Sequence, residues 1–363
     1  MKITTLAPDA SGLVEWPTLS ANRKSVVTVG VFDGMHRGHQ AVIRRAVELA
    51  KADKAFSVVV MFDPRPGVVH AYAAAHDGQE PGDGFCDPMA LTSVDQRLRT
   101  LENLGVDHVL IVRYTLAFAT KSYRFFLGQM VGKLGMRTLV LGTDAAMGAN
   151  RAGDVKAIGV LAQATGVFEL EIVDDRGPGH VRVPADVTPQ MPSEPGEPVD
   201  PTEGMTKAQL RAWSKKHQGR EVRVWSSTNV RYLLAHGRIK AADEILGHAH
   251  AIEGTVVHGE ERGRTIGFPT ANLGGMIDGY DSGGCGVCRL ADRFGRWAGA
   301  AAALRRERLR RQQRQRQNDH RKSFTGKVRQ KHHAAVPRCH PPRHLKDERR
   351  RGHPRKRRAH HAA

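Results

Sequence analysis

The sequence predicts an α/β protein whose first domain has a parallel β-sheet covered by helices on both faces. Between about residues 25 and 175, short apolar runs rich in β-branched residues alternate with segments whose apolar residues recur every three or four positions. The connections between these segments are short, as a parallel sheet with crossover helices requires. After about residue 281 this pattern is lost, and Arg, Gln and His dominate.

Each element of this region is expected from its own apolar pattern. The expected strands are residues 26–32, 56–62, 109–112 and 138–141. The expected helices are residues 40–50, 96–104 and 123–134, of which the last two are followed by Gly105 and Gly135, residues that readily adopt the left-handed conformation closing a helix. Further along the chain, helices are expected at residues 206–218 and 233–246 and a strand at residues 251–258.

Residues 176–204 interrupt the alternation. Prolines are frequent between Pro178 and Pro201, together with Gly, Glu and Asp. Such a composition buries too little apolar surface to order the chain, so we expect an irregular insertion at about residues 176–220.

The positive charge of the chain lies almost entirely in its last part. The formal net charge is +19, and residues 301–363 hold 22 Lys and Arg against 4 acidic residues. A strongly basic protein would suggest a nucleic-acid partner, but the body of this chain is balanced, and a basic tail binds nucleic acid without specificity. We therefore expect no specific nucleic-acid partner.

The cysteine content and the lack of long apolar stretches predict a cytoplasmic protein. Four cysteines in 363 residues do not make a disulfide framework. The first residues lack the apolar core of a signal peptide, and no later stretch has the length of a membrane span, so no membrane partner is expected. The oligomeric state is not indicated.

A strand, a glycine-rich loop, two histidines and a helix follow one another at residues 26–50. The loop reads Gly-Val-Phe-Asp-Gly-Met-His-Arg-Gly-His from Gly30 to His39. Its glycines allow a sharp turn and a close approach of a ligand, and Gly38 leaves room for a nucleotide. The start of the helix offers N–H groups to a phosphate, and His36 and His39 can donate to phosphate oxygens as negative charge builds up in a transition state.

A His-x-x-His pair on a loop can also be polar surface or half of a metal site. The whole string argues against both, because Gly-x-Phe-Asp-Gly-x-His-x-Gly-His resembles the cytidylyl- and adenylyltransferase superfamily, which has a Rossmann-like sheet. The chain has no P-loop string and no Gly-x-Gly-x-x-Gly turn after a strand, so P-loop and dinucleotide-oxidoreductase functions lack support.

Later strings narrow the resemblance to the bacterial bifunctional riboflavin kinase/FAD synthetases. Phe62-Asp-Pro-Arg-Pro66, Leu91-Thr-Ser93 and Trp225-Ser-Ser-Thr-Asn-Val-Arg231 follow in the order of that family. The resemblance implies that His36, His39 and Arg231 are catalytic. The ATP-binding residues that it implies are Gly30, Phe32, Asp33, Gly34, Gly38, Ser226, Ser227 and Thr228. The flavin-binding residues that it implies are Phe62, Pro64, Pro66 and Asp144.

The implied reaction is attack of the FMN phosphate on the α-phosphorus of ATP, with release of pyrophosphate and formation of FAD. Alignment and charge stabilisation by Mg²⁺, the two histidines and the arginine suffice, without a protein nucleophile. The sequence departs from the family at Gly142-Thr-Asp-Ala-Ala-Met-Gly148, where Ala145 and Met147 replace two aromatic residues near the flavin and adenine pockets. The shape of the flavin pocket is therefore expected to differ.

A second motif indicates the start of a riboflavin kinase region. Gly254-Thr-Val-Val-His-Gly259 leads to a string from Gly263 to Asn272 that contains Gly-Phe-Pro-Thr-Ala-Asn. The resemblance implies that Gly263, Gly267, Thr270 and Asn272 bind ATP and that the last two are Mg²⁺ ligands, for which a hydroxyl and an amide oxygen are suited. Riboflavin is then a second substrate.

The rest of a kinase β-barrel is not recognisable after Leu273. Residues 281–289 can be encoded so that a shift of one base gives Ile-Pro-Ala-Ala-Ala-Val-Tyr-Ala, close to the family string expected there. We therefore expect a frameshift near Tyr280 and a disordered basic tail after it. On this interpretation Cys285 and Cys288 are no zinc site, because Cys339 and His340 lie at no recognised spacing from them.

The sequence thus predicts an FMN adenylyltransferase domain at residues 1–247, an incomplete riboflavin kinase β-barrel beginning at residues 248–280, and a tail at residues 281–363. Loss or impairment of the kinase activity is expected. Three alternatives stay open: a nucleotidyltransferase for another phosphate substrate, an inactive relative of the enzymes, and a nucleic-acid-binding protein with a basic arm.

Overall fold

The computed structural model describes residues 1–185, 197–257 and 272–280. Its centre is a six-stranded sheet in the order β1-β4-β3-β2-β5-β8, and every neighbouring pair of strands in it is parallel. The six strands are β1 (Lys2–Leu6), β2 (Ser25–Gly30), β3 (Phe56–Phe62), β4 (His108–Val112), β5 (Met136–Gly142) and β8 (Glu169–Val173). The predicted α/β class with a parallel sheet is confirmed.

The helices connect these strands or follow the sheet. They are α1 (Arg37–Ala52), α2 (Pro66–Ala75), α3 (Val94–Asn103), α4 (Leu116–Ala119), α5 (Tyr123–Leu134), α6 (Val155–Thr165), α7 (Lys207–Lys216), α8 (Ser227–Ala235) and α9 (Ile239–Leu246). Three antiparallel pairs complete the described fold: β6 (Ala146–Met147) with β7 (Gly153–Asp154), β9 (His180–Val183) with β10 (Arg220–Arg223), and β11 (Glu253–Val257) with β12 (Asn272–Asp278).

The central strands are apolar on both sides because helices cover both faces of the sheet. On β3, Val58 and Val60 face a cluster that includes Phe126, whereas Val59 and Met61 face a cluster on the other side. All four of these β3 residues are almost fully buried. This double burial explains why the strand is a continuous apolar run without alternation.

A third apolar cluster lies beyond the sheet. Buried residues of α8 and α9, with Leu91 and Tyr280, form its centre. Two polar contacts tie it to α1: Gln40 donates to the Leu246 carbonyl at 2.8 Å, and Arg37 donates to the Glu244 carbonyl at 2.6 Å. These contacts hold the start of α1 against the carboxyl-terminal elements.

Three expectations from the sequence are wrong. Residues 233–246 are not one helix, because α8 ends at Ala235 and Gly237 takes a φ of 73° before α9 begins. The first strand ends at Gly30 rather than residue 32, since Phe32 has a φ of 52°, which no strand contains. The insertion that was expected to be irregular contains regular structure at both ends, where β9 pairs with β10. The helix expected within it at residues 206–218 is confirmed as α7.

Residues 186–196, 258–271 and 281–363 lie outside the described part of the chain, and the expectations for the barrel and the tail fall there. Within the described residues, no helix is long and apolar enough to cross a membrane.

Candidate functional site

The glycine-rich loop leaves the sheet at the carboxyl end of β2. This strand lies between β3 and β5 in the sheet. The next strand in the chain, β3, pairs with one edge of β2, and the later strands β5 and β8 extend the sheet from its other edge. Strand order therefore reverses beside β2. In open α/β sheets, ligands bind in the crevice outside the carboxyl ends of the strands at such a point.

The conformation of the loop requires its small residues. A Cβ atom on Gly30 would lie 2.8 Å from the ring of Phe32, and one on Gly38 would lie 2.3 Å from the Asp175 carbonyl oxygen. Gly34 has a φ of 78°, and Phe32 and Met35 take left-handed φ values of 52° and 45° that side chains disfavour. Such strain in a loop is typical of a functional site.

The two histidines stand at the start of α1. His36 is its N-cap residue, and its Nδ1 accepts a hydrogen bond from the His39 N–H at 3.3 Å. The two imidazole rings stack with their centroids 3.6 Å apart. The ring of Phe32 meets that of His39 edge-on at 5.4 Å. The predicted pairing of the histidines at a helix start is thus present in the structure.

Burial keeps both imidazoles uncharged at neutral pH. Loss of solvation, with a smaller contribution from the positive charge of Arg223, lowers the pKa of His36 to about 4. Loss of solvation and the neighbouring His36 hold the pKa of His39 well below 6.5. In the described part of the chain Nδ1 of His39 is buried without a hydrogen-bond partner. A neutral imidazole keeps one N–H donor for an incoming oxygen.

Asp33 is the buried centre of a charged network. Its side chain is 3% exposed, and its Oδ1 accepts the backbone N–H groups of Leu91 at 2.8 Å and Thr92 at 3.2 Å. Its Oδ2 makes an ion pair with Arg231 and lies 3.8 Å from Nε of Arg65. This carboxylate thus fixes the glycine-rich loop and both arginines, and its ATP-binding role stays a prediction.

The serine-rich string joins α8 to the same loop. Ser226 is the N-cap of α8 and accepts the Asn229 N–H at 3.2 Å, so it closes the helix rather than facing the cavity. Ser227 donates its hydroxyl hydrogen to the Asp33 carbonyl oxygen at 2.9 Å. Arg231, one turn further along, donates its Nε–H to the Met89 carbonyl at 2.6 Å.

These groups surround a cavity of about 540 Å³ at the carboxyl end of the sheet. Nine of the predicted site residues line it: Gly30, Phe32, Asp33, His39, Phe62, Pro66, Asp144, Ser227 and Arg231. Six others in the same loops do not: Gly34, His36, Gly38, Pro64, Ser226 and Thr228. The structure therefore brings the predicted ATP-binding and flavin-binding residues to one cavity.

One side of the cavity has an aromatic wall. Phe62 lies 5.8 Å from Tyr114 and 6.0 Å from Phe118 between ring centroids, and all three rings line the cavity. Ala145 and Met147, the residues that depart from the family pattern, line it as well. The departure thus removes aromatic surface from the cavity itself.

Five charged residues that line the cavity were not predicted as site residues: Arg65, Lys121, Arg151, Asp175 and Arg223. Asp175 is buried and holds Nη1 of Arg223 at 2.8 Å, while Nη2 of the same arginine pairs with Asp144 at 2.8 Å. Asp175 follows β8 closely, and polar residues just after parallel strands were a signal that could have found it.

The predicted kinase-region residues cannot be placed. Gly263, Gly267 and Thr270 lie outside the described residues, and Asn272 begins β12 but its side chain is not described. Among the residues that are described, no group of three or more His, Cys, Asp or Glu side chains could hold a metal ion. The Mg²⁺ expected at Thr270 and Asn272 remains a prediction.

Two family models match the chain. The model described as FAD synthetase matches residues 18–186, and the model described as riboflavin kinase matches residues 246–290. The first covers the histidine loop and every strand of the central sheet except β1, and the second covers only a short segment that begins at the end of α9.

Curated relatives carry both activities in their names. A "bifunctional riboflavin kinase/FMN adenylyltransferase" of Listeria monocytogenes is 29% identical over 259 residues, 71% of this chain and 64% of that protein. A protein of the same name from Escherichia coli K12 is 32% identical over 249 residues, 68% of this chain and 62% of its own length. The chain thus spans slightly less than two thirds of these relatives.

A solved structure shares the fold. A chain from Streptococcus pneumoniae, described as a macrolide-efflux protein, superimposes with a TM-score of 0.50 at 23% identity and covers 76% of this chain and 70% of its own. This likeness concerns the fold alone.

Proposed function

We propose that this chain, which FAD synthetase and riboflavin kinase family models match and which is similar to bifunctional riboflavin kinase/FMN adenylyltransferases, transfers the adenylyl group of ATP to FMN, giving FAD and pyrophosphate. The observation that carries the proposal is the pair His36–His39 at the start of α1, beside a cavity that also contains Arg65, Arg223 and Arg231. Neutral imidazoles and guanidinium groups are donors suited to phosphate oxygens.

In the proposed reaction an oxygen of the FMN phosphate forms a bond to the α-phosphorus of ATP. The bond from that phosphorus to the bridging oxygen of the β-phosphate breaks, and pyrophosphate leaves with the electron pair. The start of α1 offers its N–H groups and its positive end to the phosphates, while His39 donates to oxygens on which charge builds up. His36 holds His39 in place by accepting its backbone N–H and by stacking on its ring.

Arg231 has a double role in this proposal. Its guanidinium is held by Asp33 and by the Met89 carbonyl, so it faces the cavity in a defined orientation. Burial lowers its pKa, against the opposing effect of Asp33, but a guanidinium stays charged in proteins. Its charge is therefore available to the pyrophosphate leaving group.

Mg²⁺ enters the proposal with the substrate. It would arrive bound to the ATP phosphates, where it neutralises charge and orients the triphosphate. The residues that line the cavity include the carboxylates Asp33, Asp144 and Asp175, and all three are engaged by arginines. We assign none of them as a metal ligand.

For the riboflavin kinase region we propose that phosphorylation of riboflavin is lost or impaired. The matching segment ends at residue 290, and the barrel expected for that module is not recognisable in the sequence after it. The gene sequence tests the expected frameshift near Tyr280: if the frameshift is present, the shifted reading frame encodes the missing barrel sequence. We expect this reaction to take place in the cytoplasm, because the few cysteines of the chain are typical of a protein from a reducing compartment.

Incubation of the purified protein with ATP, Mg²⁺ and either FMN or riboflavin tests the proposal, with flavins separated by chromatography. We expect FAD from FMN and no FMN from riboflavin. A matched His39→Ala variant is expected to form no FAD while keeping its thermal unfolding midpoint close to that of the wild type. Absence of FAD with the wild type would favour the inactive relative, and rapid formation of FMN would refute loss of the kinase activity.

A further inference from the structure

One short segment, residues 87–92, holds several charged groups of the cavity in place. Asp87 binds Arg65, the Met89 carbonyl accepts from Arg231, and the N–H groups of Leu91 and Thr92 donate to Asp33. The hydroxyl of Thr92 also accepts the Gly34 N–H at 2.9 Å. The segment therefore links both arginines to the glycine-rich loop.

The pair formed by Arg65 and Asp87 was not predicted from the sequence, although Arg65 lies in the string Phe62-Asp-Pro-Arg-Pro66. Both oxygens of the Asp87 carboxylate are engaged, one by Nε of Arg65 and the other by Nη2 at 2.7 Å. The two side chains are 17% and 10% exposed. A bidentate pair of this kind fixes the plane of the guanidinium as well as its position.

The two partners differ in their access to the cavity. Arg65 lines the cavity, whereas Asp87 does not. A guanidinium has five N–H donors, and the contacts described for Arg65 use its Nε and Nη2 atoms, toward Asp87 and at 3.8 Å toward Asp33. Within the described residues its Nη1 atom has no hydrogen-bond partner, so N–H groups remain for a ligand.

The surroundings of Arg65 favour an anion. Arg65 precedes α2, whose first turn contains Pro66 and Gly67, and both of these residues line the cavity. No side chain caps this helix start, and a Cβ atom on Gly67 would meet nothing within 4 Å. The positive end of a ten-residue helix thus adds to the guanidinium charge at one side of the cavity.

We propose that Arg65 binds a phosphate group of the reacting nucleotides and that Asp87 is the positioning residue that orients it. This inference rests on the proposed function for the identity of the ligands. Asp87 contributes through Arg65, because its carboxylate balances the guanidinium charge and holds the guanidinium in one plane. The phosphate is that of FMN or one of those of ATP, and the two sources are separated by experiment.

Steady-state FAD formation by the full chain gives the first test, in Asp87→Asn, Asp87→Glu and Arg65→Gln variants. The KM for one nucleotide is expected to rise about tenfold in Asp87→Asn and more in Arg65→Gln, with kcat changed by less than about threefold. Asp87→Glu keeps the carboxylate and is expected to recover most of the affinity. A rise confined to FMN assigns the FMN phosphate, and a rise confined to ATP assigns the triphosphate.

Asp83→Asn is the matched control, because Asp83 lies in the same stretch of chain and pairs with Arg113 at 2.7 Å. Those two side chains are 88% and 44% exposed, so their pair is expected to have no effect on either KM. Unchanged KM values for both nucleotides in Arg65→Gln would overturn the proposal. An equal rise in Asp83→Asn would also overturn it, since the effect would then belong to the whole loop.

Equilibrium binding separates this proposal from the proposed function. Isothermal calorimetry with ATP–Mg²⁺ and with FMN measures Kd whether or not FAD is formed. If the wild type makes no FAD, the proposed function fails, and a Kd raised about tenfold in Arg65→Gln still supports the phosphate site. Arg65→Gln also decides the matter if Asp87→Asn does not fold, because it leaves the bond from the Met89 N–H to Asp87 in place.

Discussion

Acid is expected to destabilise the fold through His36, and the size of the effect follows from its pKa. His36 is 3% exposed, and burial lowers its pKa from 6.5 to about 4. Between these values the unfolded chain binds a proton that the folded protein excludes, so the free energy of unfolding falls as the pH falls. The whole shift corresponds to about 3 kcal/mol, of which about 2 kcal/mol is lost between pH 7 and pH 5.

Urea unfolding at both pH values measures this loss, with His36→Asn as the comparison. Asparagine keeps an oxygen that can accept the His39 N–H at the N-cap of α1, but it does not titrate. The wild type is expected to lose about 2 kcal/mol more than the variant between pH 7 and pH 5. Equal losses in the two proteins would refute the account of His36 as a buried, neutral imidazole.

Two further predictions concern the cavity. Asp33→Asn is expected to lower the free energy of unfolding by about 3–5 kcal/mol in urea unfolding, because it leaves the charge of Arg231 buried without its carboxylate. The double variant with Arg231→Met is expected to lose less free energy of unfolding than the sum of the two single variants. Additive losses would show that the two side chains do not interact. Ala145→Phe is expected to lower the Kd for FMN about three- to tenfold in a fluorescence titration, because it adds a ring to the cavity lining beside the aromatic wall. Ala145→Leu adds bulk without a ring, so it is expected to lower this Kd less. An identical effect of Leu and Phe would remove the stacking explanation.

The core of the fold could be predicted because its signals are local. Strand β3 and helix α5 were expected at the residues where they occur, since an apolar run and a three- to four-residue periodicity each report burial directly. The break between α8 and α9 was missed because the apolar spacing continues through it and only Gly237 marks the turn. The strand β9 was missed because its partner β10 lies beyond the insertion, and such pairing has no local signal.

The candidate site was predictable where a motif is continuous in sequence. The histidine loop and the serine-rich string meet around Asp33 as expected. Asp87 was not predictable, because its importance depends on a partner that lies 22 positions earlier and on a burial that only the tertiary structure creates. Asp175 does carry a local signal, because it follows β8, but its pairing with Arg223 spans 48 positions and only the tertiary structure reveals it.

Transfer of label from ATP tests the central claim most directly. With ATP labelled at the α-phosphate, incubation with FMN and Mg²⁺ is expected to place the label in FAD, and with ATP labelled at the γ-phosphate all of the label is expected in pyrophosphate. The His39→Ala variant is expected to transfer neither label. Label from the γ-phosphate in a flavin product, or α-label in FAD at the same rate from His39→Ala, would contradict adenylyl transfer at this site.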